Sequence, residues 1–254
     1  MTVNRNLDRL IQILCEERGE MPPAVSGEEK ARLFRALSNV RPPLPVTEES
    51  LRLQDEYLSA VVRDKGIVDV DTLRFEDGIA LWQGDITRLN ADAIVNAANS
   101  ALLGCFYPLH GCIDNAIHSA AGVQVRLECN RIMRGGEEPA GGVKVTGGYN
   151  LPCRYIFHTV GPVVYGKVTA RNEADLRGCY VSCLEEAERR GLSSLAFCCI
   201  STGEFRYPRE EACRVAVAAV REKLAENKSG LKVVFDVFTD EDRRAYEKEL
   251  RRQP

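Results

Sequence analysis

From Thr72 onward the chain alternates short apolar runs of strand length with longer stretches of helical period, and no other feature restricts its fold as much. The strand-like runs lie at 78–82, 93–95, 142–146, 155–160, 195–200 and 232–238. Between several of them, residues 112–121, 175–190 and 208–226 repeat their apolar side chains at helical spacing. Strands alternating with helices predict a largely parallel sheet covered on both faces, a three-layer α/β/α domain. Ligands bind beyond the carboxyl ends of such strands, so chemistry is expected in the loops that follow them.

Residues 1–72 have a different texture, without a strand pattern. Val3, Leu7, Leu10, Ile11 and Leu14 form one helical stripe. Ser26 and Glu29 read as a capping box ahead of Ala31, Leu33, Phe34 and Leu37, in a helix that should stop before Pro42, Pro43 and Pro45. Thr47 can cap a third helix carrying Leu51, Leu58, Val61 and Val62, which Gly66 can end. The expected division is a helical N-terminal extension over 1–72 and an α/β domain over 73–254. So small a helical segment buries little surface alone, so it is expected to pack on the domain, over a sheet edge or sheet face.

Charge removes several classes of function. Against 37 Asp and Glu stand 34 Lys and Arg, a formal charge of -3, without the positive field that duplex nucleic acid or an anionic membrane selects. No apolar run approaches the roughly 20 residues of a membrane helix. Arg5, Asp8, Arg9, Glu16, Glu17 and Arg18 break any signal-peptide core, so the expected address is cytoplasmic. Ten cysteines in such a chain are expected as thiols or metal ligands, not disulfides.

Three loops can carry chemistry. Asn96 and Asn99 follow the 93–95 run in a small-residue segment, which also suits a turn. Ser201, Thr202, Gly203, Glu204 and Phe205 follow another run, and consecutive amides there can face phosphate oxygens; the lysine and spacing of a P-loop are missing, and helix capping accounts for the segment equally well. In the third loop Cys105, His110 and Cys112 form a C-x4-H-x-C arrangement of ligands suited to zinc, with Pro108 and Gly111 allowing the chain to fold around an ion. Buried apolar cysteines are the alternative. Three ligands leave a position for water or substrate, whereas a fourth from Cys129 or His118 would close a structural site, and the spacing does not choose between them. Packing is the expected role of Cys179 and Cys183 on a helix and of Cys198 and Cys199 in a strand.

These loops belong to an ordered series of blocks: Gly84, Asp85, Ile86 and Thr87; Asp92 through Asn99; Asp114 with Ala116, Ile117 and His118; His158 through Pro162; and Ile200 through Gly203. Over about residues 81–250 the series resembles a macrodomain, the ADP-ribose-binding α/β/α module with a mixed, largely parallel sheet. Most hydrolytic macrodomains have a run of glycines before the aspartate, where this chain has Cys105 through Cys112. That departure resembles the zinc-dependent subgroup, which also tends to carry a helical N-terminal extension.

The resemblance implies that Asp85 accepts from the adenine amino group, that Ile86 lies beside the ring and that Phe238 walls it. It implies that Asn99 holds the distal ribose, that the main chain of Ser201, Thr202, Gly203, Glu204 and Phe205 cradles the diphosphate, and that Asp114 is the acidic residue near the distal ribose. Asn99 and Asp114 form the catalytic set, and Cys105, His110 and Cys112 hold Zn2+. Alone, Asp85 reads as a helix N-cap and Asp114 as the cap of a helix over 115–121. The implied activity is a zinc-dependent protein mono-ADP-ribosyl hydrolase acting on the ADP-ribose moiety of a modified protein, with a lipoylated carrier protein as substrate and a sirtuin-like transferase as partner. A non-catalytic ADP-ribose reader and an O-acetyl-ADP-ribose deacetylase are the alternatives.

Overall fold

The computed structural model describes residues 2–226 and 230–252. The extension comprises three helices, α1 (Thr2–Glu16), α2 (Glu28–Val40) and α3 (Glu48–Lys65). Their apolar stripes bury one another: Leu7, Leu10, Ile11 and Leu14 pack with Phe34, Leu37, Leu53, Tyr57 and Leu58 in a core of their own. The side chain of Val3, the first position of the expected stripe, lies outside the described residues, as do residues 1, 253 and 254 of the expected domain bounds. Thr47 caps α3 by accepting from the Ser50 amide at 3.2 Å, and Gly66, at φ 82°, ends it. The expected capping box at Ser26 does not form. Gly27, at φ 54°, is the N-cap of α2 and leaves Ser26 one residue too early.

The extension ends in strand β1 (Val68–Asp69), and the domain is built on strands β2 (Ile79–Gln83), β3 (Leu89–Asn90), β4 (Ala93–Ala97), β5 (Val143–Gly147), β6 (Tyr155–Thr159), β7 (Ser194–Phe197) and β8 (Lys232–Val237). The six-stranded sheet has the order β2-β8-β7-β4-β6-β5, parallel throughout except for β5. Every residue of β7 and all but the first of β6 and β8 are buried, as strands covered on both faces must be. Cys198 and Cys199, expected inside a strand, lie just past the end of β7, where the chain turns into a loop. Helices α4 (Ile113–Ala121) and α5 (Val123–Met133) pack on one face, and α6 (Ala170–Arg189), α7 (Arg209–Glu226) and α8 (Asp240–Leu250) on the other. On the latter face Tyr180, Phe197, Phe235 and Tyr246 form a chain of ring contacts with centroids 4.9–6.5 Å apart. Each such pair adds roughly 0.5–1.5 kcal/mol beyond area burial.

The extension docks on α4, on Gln124 and Arg126 of α5 and on the turn after β2, and not on the expected sheet edge or sheet face. Because its apolar residues are spent internally, the junction is polar. Buried Gln54 donates to Gln124 Oε1 at 2.6 Å and accepts from the Val123 amide at 3.0 Å. The Arg126 guanidinium, also buried, donates to the carbonyls of Leu103, Ser38 and Arg41. Parallel pairing of β1 with β3 ties the end of the extension to the domain.

Candidate active site

The carboxyl ends of β2, β4, β7 and β8 open into one cleft, and helices α2 and α3 form part of its wall through Arg35, Tyr57 and Lys65. Asp85, Asn99, Cys105, His110, Cys112, Asp114, the 201–205 loop and Phe238 all line it. The residues singled out in the sequence therefore converge, although they come from the four connections that follow β2, β4, β7 and β8 and from the first turn of α4.

At one end Asp85 caps the short 3-10 turn Ile86–Arg88, with Oδ1 accepting from the Thr87 amide at 3.0 Å and the Thr87 hydroxyl at 2.5 Å. Its Oδ2 accepts from Lys65 Nζ of α3 at 3.0 Å. Burial pushes this carboxyl up, but the Thr87 and Lys65 hydrogen bonds outweigh it and hold the pKa below the ordinary value. Ile86 reaches the cleft from the hydrophobic core, where its side chain is 1% exposed, so it offers a floor and not an open face. Phe238 is exposed at the rim. Buried Asp236 stands beside Asp85, and burial followed by the Asp85 charge raises its pKa well above the ordinary carboxylate value. Sequence reasoning missed Asp236 because it sits inside an apolar strand run.

In the middle, Ser201 adopts φ 65° and the loop turns back on itself through Tyr207 N to Ser201 O and Arg206 N to Gly203 O. The amides of residues 201–205 donate to no backbone oxygen among the described residues, which leaves consecutive N–H groups at the cleft. Gly161 abuts this loop: a Cβ there would lie 2.0 Å from Ser201 Oγ. The close approach requires glycine.

At the other end Asp114 is not the helix cap suggested by its position. Cys112 is the N-cap of α4, its Sγ accepting from the Asn115 amide at 3.4 Å, so Asp114 stands inside the first turn and its side chain is free to point into the site. Asp114 Oδ1 accepts from Asn96 Nδ2 at 2.8 Å and Oδ2 from Asn99 Nδ2 at 3.3 Å. Burial pushes this carboxyl up to about 6, against the pull of the Asn96 hydrogen bond and the Arg126 charge. Asn96 thus has a role the sequence left unassigned: its Nδ2 also lies 3.1 Å from His158 Nδ1, which ties the acid to the sheet. His118 Nε2 is 3.5 Å from Asp114 Oδ1, yet burial holds this imidazole neutral and neither ring nitrogen has a hydrogen-bond partner, so the contact is no ion pair.

Cys105 Sγ, a His110 ring nitrogen and Cys112 Sγ lie within 4.8 Å of one another, with Cys105 Sγ and His110 Nδ1 3.5 Å apart. Two thiols and an imidazole at this separation form a donor set that fits a borderline cation such as zinc. His110 Nε2 also approaches Glu204 Oε1 at 3.4 Å, so this loop touches the 201–205 loop. Cys129 and His118, the candidates for a fourth ligand, group instead with His158 in a separate buried cluster. They do not close the Cys105 site.

A largely parallel sheet, loop amides without backbone acceptors and a carboxylate held by two asparagines, all in one cleft at the strand ends, define an α/β/α module with a ligand-binding cleft. The Macro domain family model matches residues 95–216. A protein-ADP-ribose hydrolase of Treponema medium is 48% identical over 250 residues, spanning 94% of this chain and 95% of that protein. A protein-ADP-ribose hydrolase of Staphylococcus aureus strain MRSA252 is 48% identical over 254 residues, spanning 97% of this chain and 95% of that one. The chain belongs to the macrodomain family. Among solved structures, a Trypanosoma brucei macrodomain in complex with ADP aligns with a TM-score of 0.66 and 30% identity, covering 89% of this chain and 97% of that one. An Oceanobacillus iheyensis macrodomain with ADP aligns with a TM-score of 0.62 and 37% identity, covering 68% of this chain and 89% of that one.

Proposed function

We infer that this macrodomain is a zinc-dependent hydrolase that removes single ADP-ribose units from modified protein, cutting at the anomeric carbon of the distal ribose. The observation that carries the reading is the convergence of Cys105, His110 and Cys112 at the Asp114 end of the cleft, opposite the Asp85 end. The names of the Treponema and Staphylococcus relatives support the protein-bound substrate.

Asp85 would accept from the adenine amino group at Oδ2, which it shares with Lys65 Nζ, while Oδ1 remains engaged by Thr87. The free amides of residues 201–205 would hold the diphosphate, where fixed N–H dipoles in a partly desolvated cleft favour anionic oxygens. The distal ribose would then lie beside Asn99 and Asp114. Asn96 and Asn99 hold the two oxygens of Asp114 in one orientation, and the carboxylate would align the attacking water against the anomeric carbon. Cys105, His110 and Cys112 would hold zinc, which when bound supplies Lewis-acid polarisation and a lowered pKa for water. The subgroup resemblance extends the proposal to a lipoylated carrier protein as the bearer of the modification, a sirtuin-like transferase as partner and a cytoplasmic address.

The test is turnover. The full chain, loaded with zinc, is incubated with a mono-ADP-ribosylated protein and separately with O-acetyl-ADP-ribose. The proposal expects release of free ADP-ribose from the protein; binding without release would make the chain a reader, and preferential release of acetate would make it a deacetylase.

A further inference from the structure

We propose that Arg35 and Asn39 of the N-terminal extension are positioning residues for the 105–112 loop, so that helix α2 sets the geometry of a ligand cluster it does not join. The inference rests on the zinc reading above for its consequence, but its geometry stands independently. Arg35 and Asn39 are four residues apart on α2 and so share one face. Arg35 Nη2 donates to the His110 carbonyl at 3.2 Å and to Asn115 Oδ1 at 2.7 Å, while its Nε reaches the same Oδ1 at 3.2 Å. Asn39, 1% exposed, accepts from the Leu109 amide at 2.9 Å and donates to Ser119 Oγ at 2.9 Å. The peptide groups on either side of the Leu109–His110 step are therefore held from outside the loop, next to a candidate ligand.

Asn115 completes the arrangement. With Oδ1 engaged by Arg35, its Nδ2 is turned toward the loop and donates to the carbonyl of Tyr107 at 3.0 Å and of Cys105 at 3.5 Å. Leu109 sits at φ 58°, a left-handed conformation that leucine adopts only when its surroundings impose it. The bond from its amide to Asn39 is a restraint of that kind. An eight-residue loop outside any helix or strand would otherwise sample many conformations, and ligands borne on it would lose much of their binding to ordering entropy. Residues outside a ligand set that orient the set commonly govern metal affinity and not the fold.

The test uses the full chain with Arg35→Ala, Asn39→Ala and Arg35→Lys. Zinc affinity is read by competition with a chromophoric chelator, ligand geometry by the absorption of bound cobalt(II), loop order by amide hydrogen exchange over 105–112 in the metal-free protein, and ADP-ribose affinity by calorimetry. Arg35→Ala and Asn39→Ala are expected to weaken zinc binding by about tenfold or more, alter the cobalt spectrum, and speed loop exchange. Asn39→Ala, at a residue that does not line the cleft, should leave ADP-ribose affinity unchanged, and Arg35→Lys should restore part of the loss. Unchanged zinc affinity and loop exchange would overturn the proposal, as would a parallel loss of metal binding, ADP-ribose binding and melting temperature, which marks general destabilisation. Should the wild-type chain itself bind no zinc, the zinc reading fails separately. Exchange over 105–112 in the metal-free variants then decides positioning alone: faster supports it, unchanged overturns it.

Discussion

Asn99 Nδ2 lies 3.3 Å from Asp114 Oδ2 and 3.1 Å from the Gly104 carbonyl, so the asparagine at the cleft edge fixes both the acid and the start of the cysteine loop. Asn99→Ala removes the donor to a buried carboxylate and frees the Gly104 carbonyl. A lost hydrogen bond to a charged group is worth about 1.5–3 kcal/mol, which corresponds to a fall in rate on the order of tenfold to a hundredfold. Single-turnover hydrolysis should show that fall. Loss of ADP-ribose affinity with an unchanged single-turnover rate would limit Asn99 to ribose binding.

Asp85→Ala separates recognition of adenine from recognition of phosphate. The variant should bind ADP-ribose about tenfold or more weakly, the scale of one lost hydrogen bond in a partly buried site, while ribose 5-phosphate, which has no adenine, keeps its affinity. Calorimetry with both ligands checks this. Equal losses would remove Asp85 from the adenine role.

Gly161 has no room for a side chain. A methyl group there would meet Ser201 Oγ and lie 2.8 Å from Ile200 Cγ2, so the side chain of Ser201, at the start of the 201–205 loop, must shift. Overpacking of this kind costs roughly 1–3 kcal/mol. Gly161→Ala should therefore lower the melting temperature moderately and weaken ADP-ribose binding, since Ser201, whose side chain it crowds, carries the first of the amides assigned to the diphosphate. An unchanged ADP-ribose affinity would contradict that assignment.

The buried carboxyl of Asp236 gives a dependence on pH with a definite sign. Burial, then the Asp85 charge, raises its folded-state pKa, so between the ordinary carboxylate value and the raised one the folded chain binds more protons than the unfolded chain. Stability from this group is thus full below the ordinary value and is lost as pH rises through the window to the raised value. Asp236→Asn should stabilise the ligand-free protein at neutral pH and lose that advantage on acidification. Urea unfolding at several pH values tests this, and an advantage that grows toward low pH would contradict it.

The architecture was legible because parallel strands buried on both faces must be continuous apolar runs, as at 155–159 and 232–237. Helix α5 was not, for a physical reason. Val123, Val125, Leu127 and Cys129 alternate with polar residues at the period of a strand, yet Gly122 starts a helix there that buries Val125, Arg126 and Cys129. Asp114 and the cysteine loop could be located from residue type, but the cap belonged to Cys112, whose sulfur is an unusual acceptor for that task. The contribution of the extension was not legible at all. Arg35, Asn39 and Lys65 are ordinary surface residues in sequence, and their partners Asn115, Leu109 and Asp85 lie 20 to 80 positions away.

The account rests most directly on whether metal and ligand binding can be separated. Zinc content, ADP-ribose affinity, thermal stability and hydrolysis are measured on the same preparations of wild type and of Cys105→Ala, His110→Ala and Cys112→Ala. The expected result is a single zinc per wild-type chain, lost in each variant together with turnover, while the folded variants still bind ADP-ribose through Asp85 and the 201–205 loop. Full hydrolysis by a folded variant that holds no zinc would contradict the account.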